Sequence, residues 1–257
     1  MRNQDKITEN SYGNFQNSVE LLKKKERDGV LLLKSAENVF DRIEIESPGT
    51  RISLNTYNFV IGIVLSWGFL LNWMIVKFID FSVITSINKL VFIIGYFIFC
   101  IIGILLFKTS KRTITRFIGY NFVVIPIGLV INSIVYKYDS SLVINAIRVT
   151  GLVTVTMMCF GTLFPKFFQK ITGTLTITLL ALVVIEAIEL LILNKYHDTI
   201  VWPVVLIFCC YVGIDWARAN RIPKTFDNAV ESAAALYMDI INLFLFMLRV
   251  NRRRQYN

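Results

Sequence analysis

The stretch ALYMDIINLF, residues 235–244, decides how this chain must fold. It is apolar enough to lie in a membrane, yet it carries Asp239 near its middle. A charged side chain at that depth costs roughly 3 kcal/mol even on the most lenient scale, so such residues normally face a bundle interior and mark the path of an ion or proton. Asp215 lies in a second apolar segment, 24 residues upstream.

The rest of the chain suits the same environment. Of its 257 residues 55% are hydrophobic, and the mean hydropathy is +0.59. Apolar runs of about 17–20 residues recur, which is the length that crosses a bilayer as a helix. Seven such segments can be recognised: 57–76, 90–107, 117–135, 149–165, 174–193, 199–217 and 229–248. The sequence therefore predicts an all-α membrane protein, a bundle of seven transmembrane helices embedded in the lipid bilayer.

Residues 1–52 precede these segments and form a polar tail, separate from a membrane domain at 53–257. The tail holds nine Lys and Arg against nine Asp and Glu, so it is neutral, and the net charge of +9 belongs to the membrane part. A neutral tail argues against nucleic-acid binding, and it lacks a signal-peptide pattern. Residues 14–47 mix apolar and charged positions as an amphipathic helix does. They are interpreted either as a soluble cytoplasmic tail or as a docking element for a membrane protein partner.

Basic residues in the connections predict the orientation of the bundle. Lys and Arg are frequent in 108–116, 166–170 and 218–227 and sparse in the connections between these. Since basic loops remain on the cytoplasmic side, these three connections and the N-terminus should be cytoplasmic. The arginines after the last segment conflict with that rule if the segment crosses. A segment that dips in and returns is the alternative, but 229–248 is long enough to span, which favours a crossing.

The end of the chain resembles the Bax inhibitor family, the transmembrane Bax-inhibitor-motif proteins, in its bacterial form. The final helix of that family reads Leu-Tyr-x-Asp-x-Ile-Asn-Leu-Phe, and residues 236–244 match it, followed by Leu248-Arg249. Asp215 matches an aspartate that ends the preceding helix of bacterial members. Looser matches lie upstream, at Gly119-Tyr120, Gly151 and Gly161-Thr162.

This resemblance implies a specific fold and function. It implies seven crossing helices with the last one central, in a bacterial plasma membrane, and a hydrogen-bonded pair formed by Asp215 and Asp239. It also implies a pH-sensitive calcium leak. Because some bacterial relatives modulate a membrane protease, an interaction protein without transport is the alternative.

If the two aspartates meet, their chemistry is definite. Two carboxylates in a site of low dielectric constant share a proton and titrate together. Near neutral pH, loss of that proton would introduce repulsion and open a path. Ca²⁺ prefers hard oxygen ligands, so a transient ion could compensate the two charges. A purely structural pair, stabilised by arginine or backbone, is the alternative reading.

Other polar residues of the last segment favour a place among protein rather than lipid. Ser232, Asp239 and Asn242 are spaced by seven and three residues, which puts them on one stripe of a helix. The run Ala233-Ala234-Ala235 lets neighbouring backbones approach closely. Asparagines 72, 121 and 132 are expected to form hydrogen bonds between helices rather than to bind a ligand.

The family also implies an arginine latch on the upstream aspartate, at the cytoplasmic end of the second helix or the start of the third. Alignment on Gly119-Tyr120 puts Thr113 at that position. Arg112 and Arg116 are its neighbours, and either could substitute as the latch.

Glu186 and Glu189 are three residues apart and share a helix face. They could form an external cation mouth, or a buried pair satisfied by Arg148 or Lys195.

Signals for other chemistry are weak. The cysteines at 100, 159, 209 and 210 lack metal-type spacing, and the sole histidine, His197, lies in a connection. A disulfide scaffold, a zinc site or a hydrolytic centre is therefore not expected. The sequence predicts a protein that is not an enzyme and has no cofactor, with Ca²⁺ as the permeant ion and protons as the regulating ligand.

Overall fold

The computed structural model describes residues 50–109, 112–188 and 201–256. These residues form eight helices: α1 (Leu54–Phe78), α2 (Phe81–Ser86), α3 (Lys89–Thr109), α4 (Thr113–Val135), α5 (Ser140–Leu163), α6 (Pro165–Ile188), α7 (Val201–Arg221) and α8 (Phe226–Tyr256). All except the short α2 are long and apolar enough to cross a membrane. The predicted all-α bundle with seven membrane-crossing helices is confirmed. The tail, its boundary at residue 52 and its docking role lie outside or at the edge of the described residues and stay predictions.

Several helices extend further than the apolar runs predicted. α5 begins at Ser140 rather than 149, and α6 begins at Pro165 rather than 174. Lys166 and Lys170, predicted to lie in a loop, belong to the first turns of α6, and only Phe164 separates α5 from α6. The prediction was wrong here because hydropathy marks the part of a helix inside hydrocarbon. A helix satisfies its own backbone groups and can continue beyond that layer.

α7 and α8 form an antiparallel hairpin, and hydrogen bonds stabilise the turn between them at residues 222–225. Lys224 Nζ donates to three carbonyl oxygens at and just beyond the end of α7, at 2.6 to 3.0 Å. Thr225 caps α8, since its Oγ1 accepts from the backbone N–H of Asn228 at 3.2 Å. These bonds satisfy backbone groups that helix ends leave without partners. The turn therefore sets the register between α7 and α8.

The chain enters α1 beside the same turn. Arg51 and Thr225 form an isolated antiparallel β-bridge, and the backbone N–H of Ile52 donates to the Lys224 carbonyl at 2.8 Å. Further along, the Tyr57 hydroxyl lies 2.9 Å from Ser232 Oγ, in hydrogen-bonding contact. α1 and α8 thus begin at the same end of the bundle, which is called the turn face below.

α8 runs from the turn face to the opposite end without a break. Near its end, the Arg252 guanidinium lies 5.7 Å from the ring of Tyr138, which belongs to the connection between α4 and α5. The last segment therefore passes through the bundle and does not dip and return. α8 packs against α1, α4, α5 and α7. Of its apolar 18-residue stretch 56% is buried, whereas the corresponding share is 44% or less in the other six spans. The central position that the resemblance implies for it stays a prediction.

Candidate functional site

Asp215 of α7 and Asp239 of α8 meet inside the hairpin. Their carboxyl groups lie close enough to each other for a side-chain hydrogen bond. Asp239 is only 8% exposed, and its Oδ2 has no hydrogen-bond partner among the described residues. Ionised carboxylates only accept hydrogen bonds, so a bond between two carboxyl groups requires a proton on one of them. A proton shared by Asp215 and Asp239 stays a prediction.

Glycine at the crossing of α5 and α7 allows the backbone behind Asp215 to pack closely. A Cβ built on Gly161 of α5 would lie 2.5 Å from the carbonyl oxygen of Gly213 on α7. A Cβ on Gly213 would in turn collide with the ring of Phe168 on α6. Gly213 precedes Asp215 by two residues. The close contact between α5 and α7 therefore determines where the Asp215 carboxyl group lies along α8.

A cluster of charges lies between the aspartate pair and the turn face. Glu231 of α8 binds Arg116 of α4 at 3.4 Å and Arg218 of α7 at 2.9 Å. Arg218 follows Asp215 by one helical turn, and both Arg218 and Glu231 act electrostatically on the Asp215 carboxyl group. Glu231 therefore connects three helices beside the pair. Glu231 was not predicted from the sequence to belong to the site, although it lies about two helical turns before Asp239.

The predicted latch residues lie close to this cluster. Arg116 forms its ion pair with Glu231, and Arg112 is the N-cap residue of α4. Thr113, at the position where the family has arginine, donates from its hydroxyl to Asp227 Oδ1 at 2.6 Å. A latch on Asp215 formed by Arg112 or Arg116 stays a prediction.

The polar stripe of α8 faces two neighbouring helices. Ser232 is buried and contacts Tyr57 of α1, while Asp239 contacts Asp215 of α7. Asn242 follows one turn beyond Asp239 and is half-buried. Ser232 and Asp239 therefore face neighbouring helices rather than lipid.

The three asparagines form the expected hydrogen bonds between helices. Asn72 Nδ2 donates to the Tyr237 hydroxyl at 2.7 Å. Asn121 Oδ1 accepts from the indole of Trp67 at 2.8 Å. Asn132 Nδ2 donates to two carbonyl oxygens at the end of α1, at 3.2 and 2.9 Å. The predicted hydrogen bonds between helices are confirmed.

The predicted external mouth falls largely outside the described residues. Glu186 belongs to α6, but its side chain is not described, and Glu189 lies outside the described residues. Within the described part of the chain, no cluster of three or more His, Cys, Asp or Glu could hold a metal ion. A Ca²⁺ ion at the aspartate pair would thus need water or backbone oxygens to complete its usual six to eight ligands.

Comparison with known families agrees with this architecture. A family model described as "Inhibitor of apoptosis-promoting Bax1" matches residues 50–255, which is well over half of the chain. The matched range includes all seven candidate membrane spans and both aspartates of the pair. The protein is thus a multi-pass membrane protein that belongs to the Bax inhibitor family.

Proposed function

We propose that this protein is a pH-sensitive calcium leak, gated by the proton that Asp215 and Asp239 share. One observation supports the proposal: two carboxyl groups lie within hydrogen-bonding reach of each other, on helices that are apolar enough to cross a membrane. With its shared proton the pair carries one negative charge. Loss of the proton leaves two adjacent carboxylates, which repel each other in a site of low dielectric constant.

The second negative charge would favour opening and ion entry together. Repulsion between the carboxylates pushes α7 and α8 apart at the depth of the pair, and a divalent cation relieves that repulsion. Two carboxylates supply at most four oxygens, so Ca²⁺ would keep part of its hydration shell. Binding that is favourable enough for entry and weak enough for release is what conduction requires.

Ca²⁺ flux into liposomes that contain the pure protein tests the proposal. Flux should rise between about pH 6 and 8, because this is the range in which a carboxyl group that is hard to ionise can lose its proton. Liposomes without protein provide the baseline. Absence of flux at every pH, in vesicles shown to contain folded protein, would contradict the proposal.

The length and neutral charge of residues 1–52 favour a second candidate function, in which this tail binds a membrane protein partner. An interaction protein of this kind, such as a modulator of a membrane protease, needs no transport. It predicts no Ca²⁺ flux from the pure chain, whereas the leak predicts flux that persists after removal of residues 1–49.

Under this proposal the protein lies in a plasma membrane, and the aspartate pair has no catalytic role. Loop charges favour a turn face and an N-terminus that are cytoplasmic, and the resemblance favours a bacterial plasma membrane. The two aspartates then bind protons and Ca²⁺ and transform no substrate.

A further inference from the structure

A tyrosine covers the polar stripe of α8 between the aspartate pair and the turn face. Tyr57 of α1 is fully buried, and its hydroxyl lies 2.9 Å from Ser232 Oγ and 3.4 Å from the carbonyl oxygen of Asn228. Ser232 lies two helical turns before Asp239, about 10 Å along the same face of α8. A route that follows this stripe from the aspartate pair to the turn face therefore meets Tyr57.

An ammonium group lies over the ring of this tyrosine. Lys224 belongs to the turn between α7 and α8, and its Nζ lies 4.9 Å from the centroid of the Tyr57 ring. The same Nζ donates to the three carbonyl oxygens at the end of α7 described above. The backbone carbonyl of Lys224 accepts from the N–H of Ile52, just before α1. Lys224 therefore joins the end of α7 to the start of α1, beside the tyrosine that covers the stripe.

The surroundings of this ammonium group have the chemistry of a cation site. Carbonyl oxygens at the end of a helix carry its negative partial charge, and the face of an aromatic ring attracts cations. Lysine often binds the last carbonyls of a helix in this way. Here the Tyr57 ring completes the site and connects it to the stripe. The Lys224 ammonium thus excludes a mobile cation from this position, both by occupying it and by its charge.

We infer that Tyr57 and Lys224 close the route between the aspartate pair and the turn face, with the Lys224 ammonium as a cation tethered in the last site of that route. This inference rests on the proposed leak and assigns its closure. The proton on the pair controls whether an ion binds there, whereas Lys224 controls whether the ion passes on to the turn face. The closure joins α1 to the α7–α8 hairpin, so movement of the hairpin away from α1 opens it.

The accessibility of a cysteine behind the closure tests the inference without any measurement of ion flux. Ala235 lies on the stripe between Ser232 and Asp239 and is half-buried. Ala235→Cys is made in the full-length chain with its four native cysteines replaced. The protein is placed in phosphatidylcholine nanodiscs, which leave both faces accessible. The rate of modification by a cationic, membrane-impermeant methanethiosulfonate is then measured, and it should be slow while Lys224 is in place.

Lys224→Met keeps the length of the side chain but has neither charge nor donor. It should speed modification at position 235 by about tenfold or more, because hydrogen bonds to a charged group favour the bonded state by at least that factor. Tyr57→Phe keeps the ring but loses the contact with Ser232, so it should speed modification by a smaller factor. It serves as the second variant, because its ring still fills the space if Lys224→Met proves unstable.

Two controls separate the closure from a general loosening of the bundle. Lys224→Arg keeps the charge and the donors and should stay as slow as the parent chain. Lys77→Met removes an ammonium group that lies 5.0 Å from the ring of Trp73, in the last turn of α1. This matched contact lies at the far end of α1 from Tyr57, so its loss should leave the rate unchanged.

Ca²⁺ flux in the same variants, with native cysteines and Ala235 restored, separates this inference from the proposed leak. Lys224→Met should raise flux at every pH without moving the pH at which flux rises. Faster modification without flux in any variant would contradict the leak and leave the closure standing. Flux in the wild-type protein, with modification as slow in Lys224→Met and Tyr57→Phe as in the parent chain, would overturn the closure alone. Rapid modification with Lys224 and Tyr57 both in place would also overturn it.

Discussion

Glu231 binds Arg116 and Arg218, and the charges of Glu231 and Arg218 both act on the Asp215 carboxyl group. Glu231→Gln removes one negative charge with little change in shape and releases the Arg218 guanidinium near Asp215. Both effects favour the ionised pair, so the rise of Ca²⁺ flux should move to lower pH. Arg218→Gln is the matched opposite change and should move the rise to higher pH.

Each shift should be small, up to about 0.5 pH unit, because partly exposed ion pairs are screened by solvent. Flux into proteoliposomes from pH 5.5 to 8.5 measures both. Shifts in the same direction, or none in either variant, would show that this cluster does not act on the pair.

Single residues differed in how well the sequence revealed them. Asp215 and Asp239 could be predicted because a carboxylate in an apolar segment is costly and needs a reason. Glu231 gave no such signal, since an acidic residue in the first turns of a helix is ordinary. Its contacts with Arg116 and Arg218 depend on how three helices pack, and spacing along one chain does not contain that information.

Close packing of α5 against α7 places the Asp215 carboxyl group opposite α8. Gly161→Ala would put a Cβ 2.5 Å from a backbone oxygen of α7, and a backbone atom cannot move aside as a flexible side chain can. Overpacking of this kind costs typically about 1–3 kcal/mol. We expect a lower unfolding temperature in detergent and a weaker dependence of flux on pH, since α7 must shift.

Gly151→Ala on the same helix provides the control. Its Cβ meets open space, and alanine favours a helix over glycine by up to about 1 kcal/mol. This variant should be as stable as the wild-type protein or slightly more stable. Equal unfolding temperatures for the two alanine variants would mean that the crossing of α5 and α7 tolerates a wider separation.

The number of crossing helices could be predicted, whereas their ends could not. Seven apolar runs predicted seven spans because hydrocarbon thickness sets a minimum length. α5 nevertheless starts at Ser140 and α6 at Pro165, each nine residues before the prediction, since hydropathy is silent about turns outside the hydrocarbon layer. The short helix α2 was missed for the same reason: six residues are too few to give an apolar run.

For the whole molecule, an odd number of crossings puts the turn face and the end of α8 on opposite sides of the membrane. Single cysteines at Lys111, Lys195 and Arg254, in a chain whose four native cysteines are replaced, can be labelled with a membrane-impermeant maleimide. The cysteine at position 111 should react from the cytoplasmic side, and the cysteines at positions 195 and 254 should react from the other side. Reaction of the cysteines at positions 111 and 254 from the same side would contradict a crossing α8.

Ca²⁺ flux in the aspartate variants tests most directly whether the proton shared by Asp215 and Asp239 gates the protein. Asp239→Asn and Asp215→Asn each keep a neutral hydrogen-bonding group of similar shape but remove the second carboxylate, so no like-charge repulsion can develop. Each single variant should lose the steep change of flux between about pH 6 and 8. The double variant should resemble them, since residues that act as one unit are not additive. If both single variants keep the wild-type pH profile, the shared proton does not gate the protein and the pair is structural.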